Sequence, residues 1–241
     1  MVTPEVTAII PVFNDRPALE RALPVSLDAL SKITEEFEII VAEDGSTDGS
    51  AAFVREYEKV SPRIRLLHSD ARLGRGMALN RAIREACGSI VCYYDVDLAT
   101  DMRHLPELID AIRAGADIAI GSRLLPKSDI QRTEGRDIAS RSYNFLVRSI
   151  LGSRLFDHQC GFKAFNKKKI LLILPTKRSN HWFWDTELLV RAQKTGYTIK
   201  EFPVRWRAGK GTTVRVKDIF EMGSSILSLW WQIHVHSSIY Q

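Results

Sequence analysis

The sequence FEIIVAEDGSTD, residues 37–48, decides the fold class, because a short apolar run rich in β-formers ends abruptly in acidic residues and glycine. Such a run predicts a buried strand over residues 37–42, and the apolar spacing that follows it predicts a helix over 50–60. The same pairing of strand and helix occurs four times in the first half of the chain. This alternation predicts an α/β fold, in which a mostly parallel sheet carries helices on both faces.

The predicted elements divide the chain into a regular first half and a less regular second half. Strands are predicted over residues 6–13, 37–42, 64–68, 89–94 and 117–122, and helices over 17–31, 50–60, 76–86 and 102–114. Further on, we predict a polar stretch over 124–135, a helix over 136–151, a loop over 152–161, a helix over 184–194 and a strand over 198–206. We therefore expect one domain over residues 1–215 and an amphipathic helix within 216–241.

Charge is distributed unevenly along the chain, although the net charge is only +5. Residues 1–120 contain 13 Lys or Arg against 20 Asp or Glu, whereas residues 121–241 contain 21 against 9. The first half is therefore acidic and the second strongly basic. A basic half favours anionic partners, which by charge alone include nucleic acid, phospholipid and phosphorylated substrates.

The three cysteines, Cys87, Cys92 and Cys160, show neither the spacing of a zinc site nor the even number of a disulfide framework. The first residues lack the basic and apolar regions of a signal peptide. Both observations predict a protein of a reducing, cytoplasmic compartment.

Carboxylates follow two of the predicted strands at the point where each strand ends. Glu43 and Asp44 come directly after the second strand, and the triplet Asp95-Val96-Asp97 comes directly after the fourth. In an open parallel sheet, ligands bind beyond the carboxyl ends of the strands. Two carboxylates at positions i and i+2 can face one divalent cation. Mg²⁺ or Mn²⁺ together with a substrate diphosphate is the natural occupant of such a site.

Four segments in the first half of the chain carry a family resemblance. They are PVFN at residues 11–14, EDGSTD at 43–48, LGRG at 73–76 and DVD at 95–97. In this order and at these spacings they resemble the donor half of glycosyltransferase family 2, whose members have the GT-A fold. The resemblance thus implies a donor half over about residues 1–122 and an acceptor half over about 123–215.

The second half of the chain resembles one branch of that family. The matching segments are GSR at residues 121–123, Arg136 with Ser140, DHQCGFK at 157–163 and WDTEL at 184–188. Together they are similar to the dolichyl-phosphate mannose and glucose synthases, and the likeness covers about residues 5–214. Two positions depart from the family pattern, since Glu43 stands where relatives usually have Asp and Ala99 where they often have a polar residue.

The resemblance implies a role for individual residues. The residues implied to contact the nucleotide sugar are Pro11, Val12, Asn14, Glu43, Asp44, Arg75, Asp95 and Asp97, of which Asp95 and Asp97 also hold the metal. The residues expected around an acceptor phosphate are Arg123, Arg136, Ser140, Gln159, Lys163 and Arg205. The residues expected to carry catalysis are Asp97, Arg123, Arg136 and Asp157.

The basic half favours a phosphate as the acceptor. A sugar hydroxyl needs a positioned carboxylate base to attack a sugar donor, whereas a lipid monophosphate is already anionic at neutral pH. We therefore expect an inverting transfer of mannose or glucose from a UDP- or GDP-hexose to a dolichyl or polyprenyl phosphate. Asp157, Asp185 and Glu187 keep the alternative of a hydroxyl acceptor open, because each could serve as that base.

Two other classes of function fit less well. A non-catalytic module that binds RNA or membranes would explain the basic half but not the strand-end carboxylates, which repel phosphates unless a cation intervenes. A sugar-nucleotide pyrophosphorylase would need an early glycine-rich loop carrying Arg and Lys, and the sequence shows none. We accordingly expect no nucleic-acid partner.

The predicted helix over residues 216–235 ends in aromatic residues. Trp230 and Trp231 suit the headgroup region of a bilayer, but residues 222–241 are too polar to predict a membrane-spanning helix. The helix either packs on the core or lies at a membrane surface. We expect a protein attached peripherally to the cytoplasmic face of a membrane.

Overall fold

A seven-stranded sheet forms the centre of the computed structural model, which describes residues 3–175, 183–208 and 216–235, the last range by backbone alone up to residue 222. The strands, including those of a separate two-stranded sheet, are β1 Val6–Val12, β2 Phe37–Glu43, β3 Ile64–Leu67, β4 Ile90–Tyr94, β5 Ile118–Ser122, β6 Asp129–Gln131, β7 Phe162–Asn166, β8 Ile199–Pro203 and β9 Arg205–Arg207. The large sheet has the order β3-β2-β1-β4-β7-β5-β8, and β6 pairs with β9. Every strand pair is parallel except the two that β7 makes, which confirms the predicted mostly parallel sheet.

Helices cover both faces of the large sheet, as predicted. They are α1 Arg16–Ser31, α2 Ser50–Val60, α3 Arg75–Glu85, α4 Leu105–Arg113, α5 Glu134–Leu151, α6 Lys167–Ile173, α7 Trp184–Lys194 and α8 Val216–Val235. Alternate residues of β1 show the two layers, since Ala8 and Ile10 pack with α1, α2 and α4, whereas Ile9 packs with α3, α6 and α7. Side chains alternate across a strand, so a sheet with helices on both faces has two apolar cores.

The second half of the chain differs from the prediction in four elements, the first being β6, which forms within the predicted polar stretch over 124–135. Residues 162–166 were not predicted as a strand, yet they form β7, which inserts antiparallel between β4 and β5. Helix α6 was not predicted either, and the strand predicted over 198–206 is divided at Val204 into β8 and β9. The second residue of β7, Lys163, is charged and yet fully buried. Lysine is rarely buried, so the hydropathy pattern does not predict a buried strand here.

Helix α8 packs on the domain along one side. Ile226 and Leu229 are buried against Val147 of α5 and Val190 of α7. Leu227 and Trp231 point outward instead, and the side chain of Trp231 keeps 55% of its surface exposed. The predicted helix over 216–235 is therefore present, with one part of its apolar surface in the core. Among the helices described, none combines the length and the apolar character that a membrane crossing requires.

Candidate active site

The carboxyl ends of β1 and β2 are tied together by side-chain hydrogen bonds. Asn14, directly after β1, has a left-handed backbone with φ of 51°, and its N–H donates to the Ser46 hydroxyl at 2.9 Å. Its side-chain oxygen accepts from the N–H of Thr47 at 2.8 Å. An asparagine tolerates this backbone conformation better than most residues. The exposed side of Asn14 thus lies at the rim of a cleft formed by two strand ends.

The two carboxylates that follow β2 shape the loops around them. Asp44 accepts from the N–H groups of Leu73 at 2.7 Å and Gly74 at 2.9 Å, and Glu43 accepts from the N–H of Ser46 and from Nδ1 of His68. Both carboxylates are almost completely buried. Their hydrogen bonds fix the backbone at Ser46, Leu73 and Gly74. Pro11 and Val12 are also buried in β1, and the Val12 side chain belongs to the core.

Arg75 connects the loop held by Asp44 to the end of β4. Its Nη2 lies 2.8 Å from Oδ1 of Asp95, and its Nη1 lies 2.7 Å from Oδ2 of Asp185 in the first turn of α7. Gly74, the neighbour of Arg75, is the residue that Asp44 holds. Asp44, Arg75 and Asp95 consequently belong to one continuous set of contacts at one edge of the sheet.

Asp95 and Asp97 are the groups that fit a divalent cation. The Asp95 side chain is 44% exposed, and Asp97 is exposed, with one carboxylate oxygen accepting from the N–H of Ala99 at 3.0 Å. Desolvation of the Asp97 carboxyl group and repulsion from Asp95 raise the pKa of Asp97. A cation would relieve that repulsion. The described residues contain no group of three or more candidate metal ligands, so the other ligands would be diphosphate oxygens and water, as is usual for Mg²⁺.

On the acceptor side, Arg123 at the end of β5 forms a two-point ion pair with Asp157. Its Nε lies 2.7 Å from Oδ2 and its Nη2 lies 2.8 Å from Oδ1. Burial disfavours the charged carboxylate, but Arg123 outweighs it and holds the pKa of Asp157 well below its usual range. The guanidinium also lies 5.6 Å from the ring centre of Trp206. Asp157 therefore fixes the orientation of Arg123, whose side chain is only 13% exposed.

Strand β9 joins the acceptor side to the loop that carries Asp95 and Asp97. The N–H of Arg207 donates to the carbonyl of Ala99 at 2.8 Å, and Thr100 forms a β-bridge with Trp206. Because Trp206 also contacts Arg123, the ends of β4 and β5 share one cleft. The sequence placed Asp97 and Arg123 in separate halves of the chain, and the structure brings their segments together.

Three further residues expected around an acceptor phosphate, Arg136, Ser140 and Gln159, are all half-buried. Arg136 and Ser140 occupy the first turns of α5. The Ser140 hydroxyl oxygen is buried without a hydrogen-bond partner among the residues that the structure describes. Gln159 donates its N–H to Asp157 at 3.1 Å and therefore lies next to the Arg123–Asp157 pair. The approach of Arg136 and Ser140 to Arg123 stays a prediction.

One assignment to the acceptor phosphate needs correction. Lys163 has no exposed surface, and its ammonium donates to Asp185 at 2.9 Å, so it cannot border an acceptor directly. Arg205 is exposed and pairs with Asp129 of β6 at 3.0 Å. Because side chains alternate along β9, Arg205 points away from the face on which Trp206 contacts Arg123. An acceptor role for Arg205 stays a prediction.

All three carboxylates considered as catalytic bases are held in ion pairs. Asp157 pairs with Arg123, and Asp185 pairs with Lys163 and Arg75. Glu187 lies 2.6 Å from Arg191 one turn further along α7. The neighbouring cations lower the pKa values of Asp157 and Asp185, so both are weak bases.

Two residues of the cleft were missed by the sequence prediction. Tyr93 donates its buried hydroxyl to Asp185, and Gly161 leaves room for the carboxylate of Asp95. In the sequence, Tyr93 is one of several apolar residues of a predicted buried strand, so nothing indicates a role at the site. A single glycine in a loop does not by itself indicate a functional residue. The sequence identifies the DHQCGFK segment as part of the family pattern, but only the fold shows that its glycine, Gly161, makes room for Asp95.

A mostly parallel sheet with carboxylates at the end of β4 is the arrangement expected of a glycosyltransferase with the GT-A fold. The model of the family described as "Glycosyl transferase family 2" matches residues 7–171, and this chain belongs to that family.

Among the relatives, "Glycosyltransferase AglD" of Haloferax volcanii is 46% identical over 239 residues, which are 98% of this chain but 38% of that protein. This chain therefore spans well under half the length of that relative. "Dolichyl-phosphate beta-glucosyltransferase ALG5A" of Trichomonas vaginalis is 28% identical, over 92% of this chain and 71% of the relative. "Polyprenol monophosphomannose synthase" of Mycolicibacterium smegmatis is also 28% identical, over 84% of this chain and 77% of the relative.

Solved structures with the same fold include two transferases crystallised with a metal and a nucleotide. Glucosyl-3-phosphoglycerate synthase from Mycobacterium tuberculosis, in complex with Mn²⁺ and UDP, has a TM-score of 0.66 at 18% identity over 95% of this chain and 79% of its own. The mannosyltransferase PcManGT from Pyrobaculum calidifontis, in complex with GDP-Man and Mn²⁺, has a TM-score of 0.64 at 21% identity over 98% and 65%. These similarities confirm the predicted GT-A fold.

Proposed function

We propose that this chain transfers a hexose, glucose or mannose, with inversion from a metal-bound nucleotide diphosphate sugar to a polyprenyl-type monophosphate. The observation that carries the proposal is the pairing of Asp157, Asp185 and Glu187 with cations in the acceptor region. An acceptor that needs no base suits such a site, and a phosphate monoester is one. The named activities of the T. vaginalis and M. smegmatis relatives support the same class of acceptor.

The donor would bind along the ends of β1, β2 and β4. Asp95 and Asp97 would hold Mg²⁺ or Mn²⁺, whose charge stabilises the leaving diphosphate. The backbone held by Asn14, Glu43 and Asp44 would border the nucleoside. Structures with the same fold contain UDP in one protein and GDP-mannose in another, so both bases are candidates.

The acceptor would approach from the side of β5 and α5. Arg123 is fixed by Asp157 at the end of β5, and Arg136 and Ser140 lie on the first turns of α5. Charge-assisted hydrogen bonds from arginine would hold the phosphate and offset its repulsion from the donor. The phosphate oxygen could then attack the anomeric carbon from the side opposite the diphosphate, which gives inversion.

A radiolabelled transfer assay tests this function directly. UDP-glucose, GDP-mannose and related donors are incubated with a polyprenyl phosphate, and in parallel with a sugar acceptor, each with Mn²⁺ and with EDTA. We expect label in the lipid phosphate only when the metal is present, and the β product from an α-linked donor. Label in the sugar acceptor alone would show that the hydroxyl alternative is correct.

Arg136→Ala separates the two halves of the reaction. The variant should keep the wild-type affinity for the metal-bound nucleotide, because Arg136 lies on α5 and outside the donor edge. Transfer to the lipid phosphate should fall by about 100-fold, the loss expected for two charge-assisted hydrogen bonds. Arg55→Ala, at an exposed arginine of α2, is the control and should leave both quantities unchanged. Reduced nucleotide affinity in Arg136→Ala would place this arginine on the donor side instead.

We also propose that the chain attaches to the cytoplasmic face of a membrane. Leu227 and Trp231 of α8 are exposed, and so are Ile138 and Phe145 on α5. Arginines 141 and 148 flank Phe145 on the exposed side of α5. Apolar side chains next to cations suit an anionic bilayer surface. This surface would bring the cleft to a lipid-linked phosphate.

Vesicle sedimentation tests the attachment without unfolding the domain. A truncation before α8 would uncover the core around Ile226, so the paired change Leu227→Ser with Trp231→Ser is the better probe. We expect it to reduce sedimentation with anionic vesicles at least about tenfold, given the transfer free energies of the two side chains. Leu172→Ser, at an exposed apolar residue of α6, is the matched control and should sediment like the wild type.

A further inference from the structure

A triad of buried polar residues, Tyr93, Lys163 and Asp185, lies behind the cleft. The ammonium of Lys163 is 2.9 Å from Oδ1 of Asp185 and 3.1 Å from the Tyr93 hydroxyl, which itself donates to the same Asp185 oxygen. Lys163 also donates to the carbonyl of Cys160. Burial and the charge of Asp185 raise the pKa of Tyr93, so its hydroxyl keeps the proton that it donates.

The fold brings the triad together from three distant segments. Tyr93 on β4 and Lys163 on β7 are directly opposite each other in the antiparallel register, so their side chains point to the same face of the sheet. Asp185 enters from the first turn of α7, where the helix dipole favours a carboxylate. A Cβ atom on Gly76 would lie 2.8 Å from the side chain of Trp184. Glycine at this position thus lets α3 approach α7 closely.

That close approach places Arg75 between the triad and the cleft. Arg75 begins α3, where the helix dipole disfavours a cation, so neighbouring carboxylates must set its orientation. Asp185 uses Oδ1 for the triad and Oδ2 for Nη1 of Arg75 at 2.7 Å. The other edge of the guanidinium bonds Oδ1 of Asp95, with Nε at 3.2 Å and Nη2 at 2.8 Å. The triad is therefore linked to Asp95 through a single side chain.

Gly161 confines Asp95 from the opposite side. A Cβ atom on Gly161 would lie 1.9 Å from Oδ2 and 2.3 Å from Cγ of the Asp95 carboxylate. The N–H of Asp95 also donates to the carbonyl of Gly161 at 3.1 Å. Any side chain at position 161 would displace the carboxylate. Arg75 and Gly161 together restrict the carboxylate of Asp95 to the position that it occupies.

We infer that Tyr93, Lys163, Asp185 and Gly161 are positioning residues for the donor site. The triad fixes Arg75, and Arg75 and Gly161 fix the carboxylate of Asp95 where it meets the metal-bound diphosphate. Asp185 acts as a support for the donor and not as a base for the acceptor. The inference rests on the proposed function only in taking Asp95 as a residue that binds the metal and nucleotide.

The experiment removes the buried ion pair without leaving a buried charge. The double variant Lys163→Met with Asp185→Asn keeps the volume of both side chains and is neutral overall. Its affinity for Mn²⁺ with UDP, and for Mn²⁺ with GDP, is measured by calorimetry, and its folding by circular dichroism and thermal melting. We expect the affinity to fall by about 10- to 100-fold, as for other groups that orient metal ligands. Arg113→Met with Glu5→Gln removes another ion pair, far from the cleft, and should leave the affinity unchanged.

Two single variants test the same inference in a different way. Gly161→Ala should weaken the binding of Mn²⁺ and nucleotide while the triad remains intact, and Tyr93→Phe should weaken it less, because only one hydrogen bond to Asp185 is lost. If the double variant does not fold, these two decide the question. Wild-type affinity in both, or in a folded double variant, would overturn the inference. So would a wild-type chain that binds neither nucleotide with Mn²⁺.

The transfer assay distinguishes this inference from the proposed function. Variants that lose nucleotide affinity as expected, in a chain that transfers nothing to a polyprenyl phosphate, would support the positioning role and contradict the proposed acceptor. If the chain does transfer to the lipid phosphate but the variants keep wild-type affinity for the nucleotide, the proposed acceptor would be supported and the positioning role contradicted.

Discussion

The donor edge and the acceptor side of this cleft hold their carboxylates in opposite ways. At the donor edge, Asp44 accepts from the backbone N–H groups of Leu73 and Gly74, and Asp48 accepts from those of Arg16 and Ser50. On the acceptor side, Asp157 pairs with an arginine, and Glu187 does so too. Backbone donors leave the negative charge of a carboxylate in place, whereas an ion pair cancels it.

This difference explains the opposite charges of the two halves of the chain. The donor edge retains an excess of negative charge that a divalent cation and a diphosphate would complete. The acceptor half has an excess of cations beyond those that its own carboxylates neutralise, which suits an anionic acceptor. Arg75 is the exception, because it carries a cation into the donor edge and joins Asp95 to Asp185.

The largest expected effect comes from breaking the buried ion pair of the acceptor side. Arg123→Met should lower the free energy of unfolding by about 3–5 kcal/mol, because it leaves the fully buried carboxylate of Asp157 without its cation. Denaturant titration measures the loss. The double variant Arg123→Met with Asp157→Asn should recover most of the stability but not the transfer to a lipid phosphate. Full recovery of transfer in the double variant would mean that the pair only stabilises the fold.

Asp97→Ala should give the next largest effect, at the donor edge. Removal of this carboxylate should cost about 3 kcal/mol of binding free energy for the metal-bound nucleotide, or roughly a 100-fold loss in affinity and turnover. The fold should be unaffected, because Asp97 is exposed and repelled by Asp95. Asp110→Asn, at an exposed carboxylate of α4, is the matched control. Equal nucleotide affinity in Asp97→Ala and the wild type would remove the metal site from this edge.

The pH dependence should separate the two regions by a smaller effect. The raised pKa of Asp97 means that it gains a proton at a higher pH than an ordinary aspartate, so nucleotide affinity with Mn²⁺ should start to fall at a higher pH than it would with an unperturbed carboxylate. The pKa of Asp157 is lowered on folding, so its contribution to stability is complete above about pH 4 and is lost only as the pH falls further. Calorimetry and denaturant titration at each pH measure the two quantities. If nucleotide affinity and stability were lost over the same pH range, the expected difference between Asp97 and Asp157 would be contradicted.

The sequence predicted the donor edge better than the acceptor side for a physical reason. The strands β1, β2 and β4 are continuous apolar runs, and their functional residues follow directly at the strand ends, so the local pattern contains both strand and site. On the acceptor side, β7 contains a buried lysine and β9 contains two arginines in three residues. Their partners, Asp185 and Asp129, are distant in the chain. Ion pairs formed by folding therefore determine these elements, and hydropathy does not reveal them.

The placement of individual site residues depends on the same distinction. Asp95, Asp97 and Arg123 lie at the shared cleft because each follows a strand end, which the sequence indicates. Lys163 was expected at the acceptor phosphate because it is a cation in the basic half. Burial cannot be read from charge, and the structure places it behind the cleft.

The smallest expected effect on transfer is that of Glu187→Gln, and it is the sharpest test of the acceptor. Glu187 is buried beside Arg191 one turn along α7, so the glutamine variant should lower the free energy of unfolding by about 1–3 kcal/mol but change transfer to a polyprenyl phosphate by less than about twofold. If Glu187 instead activated a hydroxyl, the glutamine variant would lose about 100-fold in turnover, since general-base catalysis contributes at least that much. Turnover measured with lipid phosphate and with a sugar acceptor distinguishes the two results. A large loss would show that a carboxylate on the acceptor side keeps the reactivity that its ion pair should suppress.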